Sequence, residues 1–234
     1  MQRSVSKLSV CYWTLRMIGE IMDKSISWFI DKQVENVINA LDKHNMKGIY
    51  VKDEKELLEI LKDLIQENSI VGVGDSVTLL ETGVLDFLRK GSYIFLDKYR
   101  ESITSEEKKQ IYIQNFSADT FLCGTNALTE EGELYNIDGN GSRVAPMIYG
   151  PKQVIIVVGI NKLVRNLEEA EKRVRNYAAP IDAKRLGKET PCTRLGHCVD
   201  CKSPDRICND FVTITGQFIK DRIKVIIVAK SLGY

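Results

Sequence analysis

Apolar positions along this chain follow two periods. Ile30, Val34, Val37, Ile38 and Leu41 recur at i, i+4, i+7, i+8 and i+11, which is one face of a helix. Leu57, Leu58, Leu61, Leu64 and Ile65 line another such face, opened by Asp53 with Glu56 three residues on. Thr104 with Glu107, and Asn166 with Glu169, mark two further helix starts, the first helix running to about Asn115 and the second ended by Pro180. Residues 76–90 read as helical with a break at Gly83. Between these lie short unbroken apolar runs: Ile49–Val51, Ser69–Val73, Tyr93–Leu96, Thr120–Cys123, Val154–Val158 and Val225–Ala229. Runs without polar alternation suit strands covered on both faces. Ala127–Thr129 and Glu133–Ile137 flank Glu130-Glu131-Gly132 as a hairpin. Strands alternating with helices predict an α/β fold, a layered sheet flanked by helices on both faces.

No repeat, low-complexity tract or flexible linker interrupts this order. Residues 22–234 read as one domain with a cysteine-rich insertion at about 187–210. Residues 1–21 are set apart. They carry Arg3, Lys7 and Arg16, and only Glu20 among acidic residues, but lack the apolar core and cleavage site of a secretory signal. They read as a short extension or as an over-long frame whose start is Met22.

Composition narrows the function classes. The 33 Lys and Arg against 32 Asp and Glu leave a net charge of +1, without the basic excess of a dedicated nucleic-acid binder. No apolar stretch is long enough to span a membrane. Four of six cysteines fall between positions 192 and 208, unlike the even scatter of a secreted disulfide scaffold, so a reducing cytoplasm is the expected compartment.

Three segments carry candidate chemistry. Gly72 and Gly74 end a strand, and Asp75, Ser76 and Thr78 open a helix, an order that brings backbone amides and hydroxyls toward an anion. The same residues suit a tight capped turn. This is not a P-loop, and Val77 stands where a dinucleotide fingerprint needs its third glycine, so no nucleotide cofactor motif is present. The second segment is Thr125 and Asn126 after a strand, with Asp138, Asn140, Gly141 and Arg143 in a Gly/Asn-rich loop. Arg143 there suits a bidentate grip on a carboxylate or phosphate, or a solvated charge beside a turn. The third is Cys192-x5-Cys198-x2-Cys201-x6-Cys208. Such a set suits zinc or an iron–sulfur cluster, or four free thiols.

The run from Val71 to Gly83, the pair Gly124–Ala127 and Asp138–Ala145, and the tail from Thr190 to Asn209 together resemble the lactate-utilisation (LUD) domain family, in its cysteine-bearing branch. The resemblance spans about Met22 to Tyr234. It implies a fold like that of ribose-5-phosphate isomerase, glucosamine-6-phosphate deaminase and coenzyme A transferases. The glycine loop and the region of Thr125, Asn126 and Asp138 would then border one pocket. It also implies a subunit or accessory of a lactate-oxidising system, binding a small anionic ligand beside iron–sulfur oxidoreductase subunits. The alternative is an independent enzyme on a phosphorylated sugar or acyl-CoA, with Glu81 or Asp138 as base or nucleophile. Oligomeric state stays open.

Overall fold

In a computed structural model, the backbone is described for residues 6–234 and the side chains for residues 24–234. The expected extension at residues 1–21, Cys11 included, lies outside the residues whose side chains are described. In chain order the elements are α1 (Ser6–Lys43), β1 (Lys47–Val51), α2 (Glu54–Leu64), β2 (Ile70–Val73), α3 (Val77–Glu81), α4 (Val84–Lys90) and β3 (Ile94–Phe95). Then come α5 (Ser105–Gln114), β4 (Thr120–Cys123), β5 (Ala127–Thr129), β6 (Leu134–Asp138), α6 (Val144–Ile148), β7 (Gln153–Gly159) and β8 (Leu163–Val164). The last are α7 (Leu167–Arg173), α8 (Ala179–Arg185), α9 (Pro191–Leu195), β9 (Asp210–Ile214) and β10 (Ile223–Val228).

Six strands form a parallel sheet in the order β1-β10-β7-β4-β2-β3. Strand β7 shows why its sequence is a continuous apolar run. Val154, Ile156 and Val158 enter one core with Val34, Val37 and Leu41 of α1. Ile155 and Val157 enter the other with Leu57 and Leu61 of α2 and Leu79 of α3. Every residue from Val154 to Val158 is fully buried. Each such side chain contributes about 1.5–3 kcal/mol of burial, so the pattern locks β7 in the sheet's middle.

Local signals set the helix starts. Asp53 caps α2 by accepting from the Glu56 amide, and Thr104 with Glu107 completes a reciprocal capping box on α5. Gly83 takes φ +71° between α3 and α4, so the expected break falls where only glycine is unstrained. The helix starting at Asn166 does not end at Pro180. A π turn at Val174–Ala178 follows α7, and Pro180 sits in the first turn of α8, where a missing amide hydrogen costs least. The expected strand at Tyr93–Leu96 is reduced to Ile94–Phe95 at the sheet edge.

A smaller sheet, β8-β5-β6-β9, contains the expected β5–β6 hairpin. Its strand β9 had no counterpart in the apolar pattern. It pairs antiparallel with β6 from Leu134 opposite Ile214 to Asp138 opposite Asp210. This sheet packs against Ala170, Val174 and Ala178 of the α7–α8 region.

Candidate functional site

Adjacent strands β2, β4 and β7 each end on a glycine at their carboxyl end or just beyond it. The segments that follow are Gly74-Asp75-Ser76, Gly124-Thr125-Asn126 and Gly159-Ile160-Asn161-Lys162. All three contribute to one cavity of about 480 Å³, which the β6–α6 turn, α8 and the segment before β9 also wall. This is where open α/β sheets place ligands. Six basic and four acidic side chains line it, so its lining favours an anion.

The structure brings most of the expected residues together but gives many of them internal work. Gly74 is buried beneath the loop, where an added Cβ would fall 2.8 Å from Arg143 Cγ and 2.9 Å from Cys123 Cβ. Gly72 lies within β2 and faces Asn115, so both glycines serve close packing. Ser76 Oγ accepts from the Leu79 amide at 3.3 Å and so caps α3, a helix of five residues. So short a helix has little dipole to offer an anion. Asp75 pairs with the buried Lys98 ammonium at 2.8 Å and accepts from Tyr99 Oη at 2.9 Å. Burial raises the Asp75 carboxyl, but Lys98 and Tyr99 outweigh it and hold it below its ordinary value. Burial in turn lowers Lys98 despite Asp75.

Around Asp138 the loop is knotted by hydrogen bonds. Its carboxylate accepts from the amides of Gly139, Asn140, Arg143 and Val144 at 2.7–3.3 Å. Asn140 accepts from the Ser142 amide, and Gly141 supplies φ +76°. Arg143 is buried, and its guanidinium donates to Gly124 O, Asn136 Oδ1, Asn126 Oδ1 and Ile137 O at 2.5–3.1 Å. Thr125 Oγ1 donates within the same corner, to Ala127 O at 3.0 Å. Arg143 therefore ties β4, β6 and the loop into one block. Glu81 is exposed on α3, accepts from the Gly233 amide at 2.6 Å and does not line the cavity.

Two groups at this end escaped the sequence reading. Lys162 is only 4% exposed, lines the cavity and donates to Thr78 Oγ1 at 3.0 Å. Burial, then the charges of Arg173 and Arg143, push its ammonium down to about 7. Tyr234, from the chain's last residues, lines the same cavity. The signal for Lys162 was the third strand–glycine junction, which repeats the two already recognised.

The cysteine loop forms a second, much smaller cavity of about 20 Å³ beside the first. Cys192, Cys198, Cys201 and Cys208 all line it, with Ala179, Pro180 and Ala183 of α8 as its apolar wall. No disulfide joins the cysteines among the described residues. Burial and the neighbouring thiols raise Cys208 to about 11, with Arg206 opposing. The donor set suits a thiophilic metal, yet among the described residues no three His, Cys, Asp or Glu side chains stand arranged to hold a metal ion. Buried Cys123 is raised to about 12 by burial, so it is no nucleophile near neutral pH.

The LUD domain family model matches residues 34–228, which span both sheets and all of the cavity's lining except Tyr234. The chain belongs to the LUD domain family. Membership associates this LUD-domain chain with lactate utilisation. No curated protein matches it. Among solved structures it is similar to the crystal structure of a DUF162 family protein from Deinococcus radiodurans. There identity is 14%, the TM-score 0.44, and the match covers 86% of this chain and 96% of that one. Among the described residues no helix is long and apolar enough to cross a membrane.

Proposed function

We propose that the chain binds a small anionic ligand of the 2-hydroxy or 2-oxo acid class at the carboxyl end of the parallel sheet, as a subunit or accessory of a lactate-oxidising system. The observation that carries this reading is the excess of basic side chains lining the cavity of about 480 Å³, in a chain whose family is associated with lactate utilisation. The hydrogen-bonded corner of Asp138 and Arg143 shapes the cavity, and the loops after β2, β4 and β7 present its polar surface. Thermal unfolding of the full chain with lactate, pyruvate, sugar phosphates and acyl-CoA tests it, since a ligand bound only by the native state raises stability. Stabilisation by lactate or pyruvate supports the reading. Stabilisation by a sugar phosphate or acyl-CoA alone favours an isomerase or transferase instead. That alternative has less support, because Glu81 lies off the cavity and the Asp138 carboxylate is occupied by backbone amides.

The four cysteines complete the proposal. The four unbridged thiols around one small cavity support a zinc ion or iron–sulfur cluster, which would draw them together and order the segment from α9 to β9. Zinc would make the site structural; a cluster would supply electron transfer, with iron–sulfur subunits as partners. Anaerobic purification with zinc, iron and sulfide analysis decides between these, and metal-free folded protein with four free thiols overturns both. Without a partner, the purified chain is expected to give no lactate-dependent dye reduction.

A further inference from the structure

The cavity's cations are not equivalent. Arg143 donates to four protein oxygens. Arg185 forks onto Asp182, and Arg206 donates to the carbonyls of Cys208 and Cys201. Lys108 and Lys188 are half-buried and reach solvent, where an exposed charge needs no partner. Lys162 differs from all of these. It is buried, it borders the cavity, and among the described residues the only hydrogen bond of its amine goes to the Thr78 hydroxyl. Thr78 directs its own proton to Leu232 O at 3.3 Å, so its oxygen can only accept from the amine. No carboxylate among the described residues forms an ion pair with Lys162.

The surroundings hold the amine in this state. Asn161 grips the chain's end, accepting from the Leu232 amide at 3.0 Å and donating to Gly233 O at 3.2 Å. A Cβ on Gly233 would approach Lys162 Nζ to 3.3 Å, so the tail closes that side and the cavity remains the open one. The charged groups that act on it are Arg173 of α7, Arg143 beside α6, Glu81 of α3 and Asp182 of α8. The two arginines disfavour its charge more than the two carboxylates support it. A buried ammonium without a counter-ion is costly, and such a group gains most from an anion that arrives from outside.

We infer that Lys162 is the anchor for the anionic head group of the cavity's ligand. The inference rests on the proposed function, and it moves the anchoring role from Arg143 and the glycine loop to the loop after β7. A carboxylate or phosphate oxygen takes the free donors of the ammonium and supplies the counter-charge that the protein withholds. Arg143 stays the tie behind it. Because the amine is about half protonated near pH 7, binding draws a proton onto it, and affinity falls as pH rises.

Isothermal titration of the full chain tests this with lactate, pyruvate, inorganic phosphate and ribose 5-phosphate in turn. Two buffers of different ionisation enthalpy report proton uptake. The carboxylate and phosphate arms tell which source of the head group is used. Wild type is expected to bind at least one probe with proton uptake, and about tenfold or more weaker at about pH 9 than at about pH 7. Lys162→Met is expected to lose about tenfold or more at neutral pH. Lys162→Arg, whose charge does not titrate, is expected to keep part of the affinity and lose the pH dependence. Circular dichroism and cooperative unfolding of both variants confirm folding. Unchanged affinity in Lys162→Met, or binding without proton uptake in wild type, overturns the anchor and leaves the proposed function standing. Failure of wild type to bind any probe removes the proposed function and the anchor with it.

Discussion

Two corners of the cavity solve the same problem, a buried cation, in opposite ways. Around Arg143 every guanidinium donor used is met by an oxygen of β4, β6 or their loops. Around the Lys162 amine, one hydroxyl is the only hydrogen-bond partner among the described residues. A satisfied cation is a fastener, because moving it would strand several buried acceptors. An unsatisfied one is stored instability, kept where something else can relieve it. The contrast assigns structure to the first corner and binding to the second, although both lie at the carboxyl end of one sheet.

The widest separation of the two corners comes from truncating each cation. Arg143→Met is expected to destabilise the fold by about 3–5 kcal/mol, since it takes the guanidinium donor from the buried oxygens of Gly124, Asn136 and Ile137 and leaves Asn126 Oδ1 with only the Ile137 amide. Urea unfolding measures it, and a loss under about 1 kcal/mol breaks the contrast. Lys162→Met is expected to have the opposite sign, a gain of about 1–3 kcal/mol at neutral pH from removing an uncompensated buried charge. That gain depends on pH with a definite sign. The folded-state amine titrates at about 7 against an ordinary 10.5, so the unfolded chain binds more protons between those values. Wild-type stability therefore rises with pH through that window, and the advantage of Lys162→Met shrinks as pH climbs from about 7 toward 10. A constant difference across the window removes the titrating amine from the account.

Smaller effects sharpen the same comparison. Gly74→Ala pushes a methyl group against Arg143 Cγ and Cys123 Cβ. It is expected to cost about 1–3 kcal/mol by overpacking the fastened corner. Thr78→Val removes the only hydrogen-bond partner that the Lys162 amine has among the described residues. It is expected to cost about 1 kcal/mol and to lower the amine further, read as an earlier onset of the pH-dependent stability rise.

Legibility in the sequence followed how local each determinant was. The strands Val154–Val158 and Val225–Val228 were readable because burial on both faces leaves an unbroken apolar run. The starts of α2, α5 and α7 were readable because a cap lies within three residues of its partner. Strand β9 was not, since Asp210–Ile214 is mostly half-exposed and owes its state to pairing with distant β6. Pro180 misled because the π turn that accommodates it has no simple local signature. At the site, the loops after β2 and β4 were found by their polar chemistry. Lys162 follows a third strand–glycine junction, but Ile160-Asn161-Lys162 lacks the hydroxyl- and Gly-rich pattern of the other two loops, and the order β7-β4-β2 is what brings it beside them. The roles of Asp138 and Arg143 were equally hidden. A charged pair near glycines signals a binding loop or a turn alike, and counting the hydrogen bonds each already makes is what separates them.

The most direct test of the central claim is a crystal structure of the full chain with pyruvate bound. The carboxylate is expected within hydrogen-bond distance of Lys162 Nζ, with the guanidinium of Arg143 still on its four protein oxygens. A carboxylate held by a released Arg143, with Lys162 still turned only to Thr78, would contradict it.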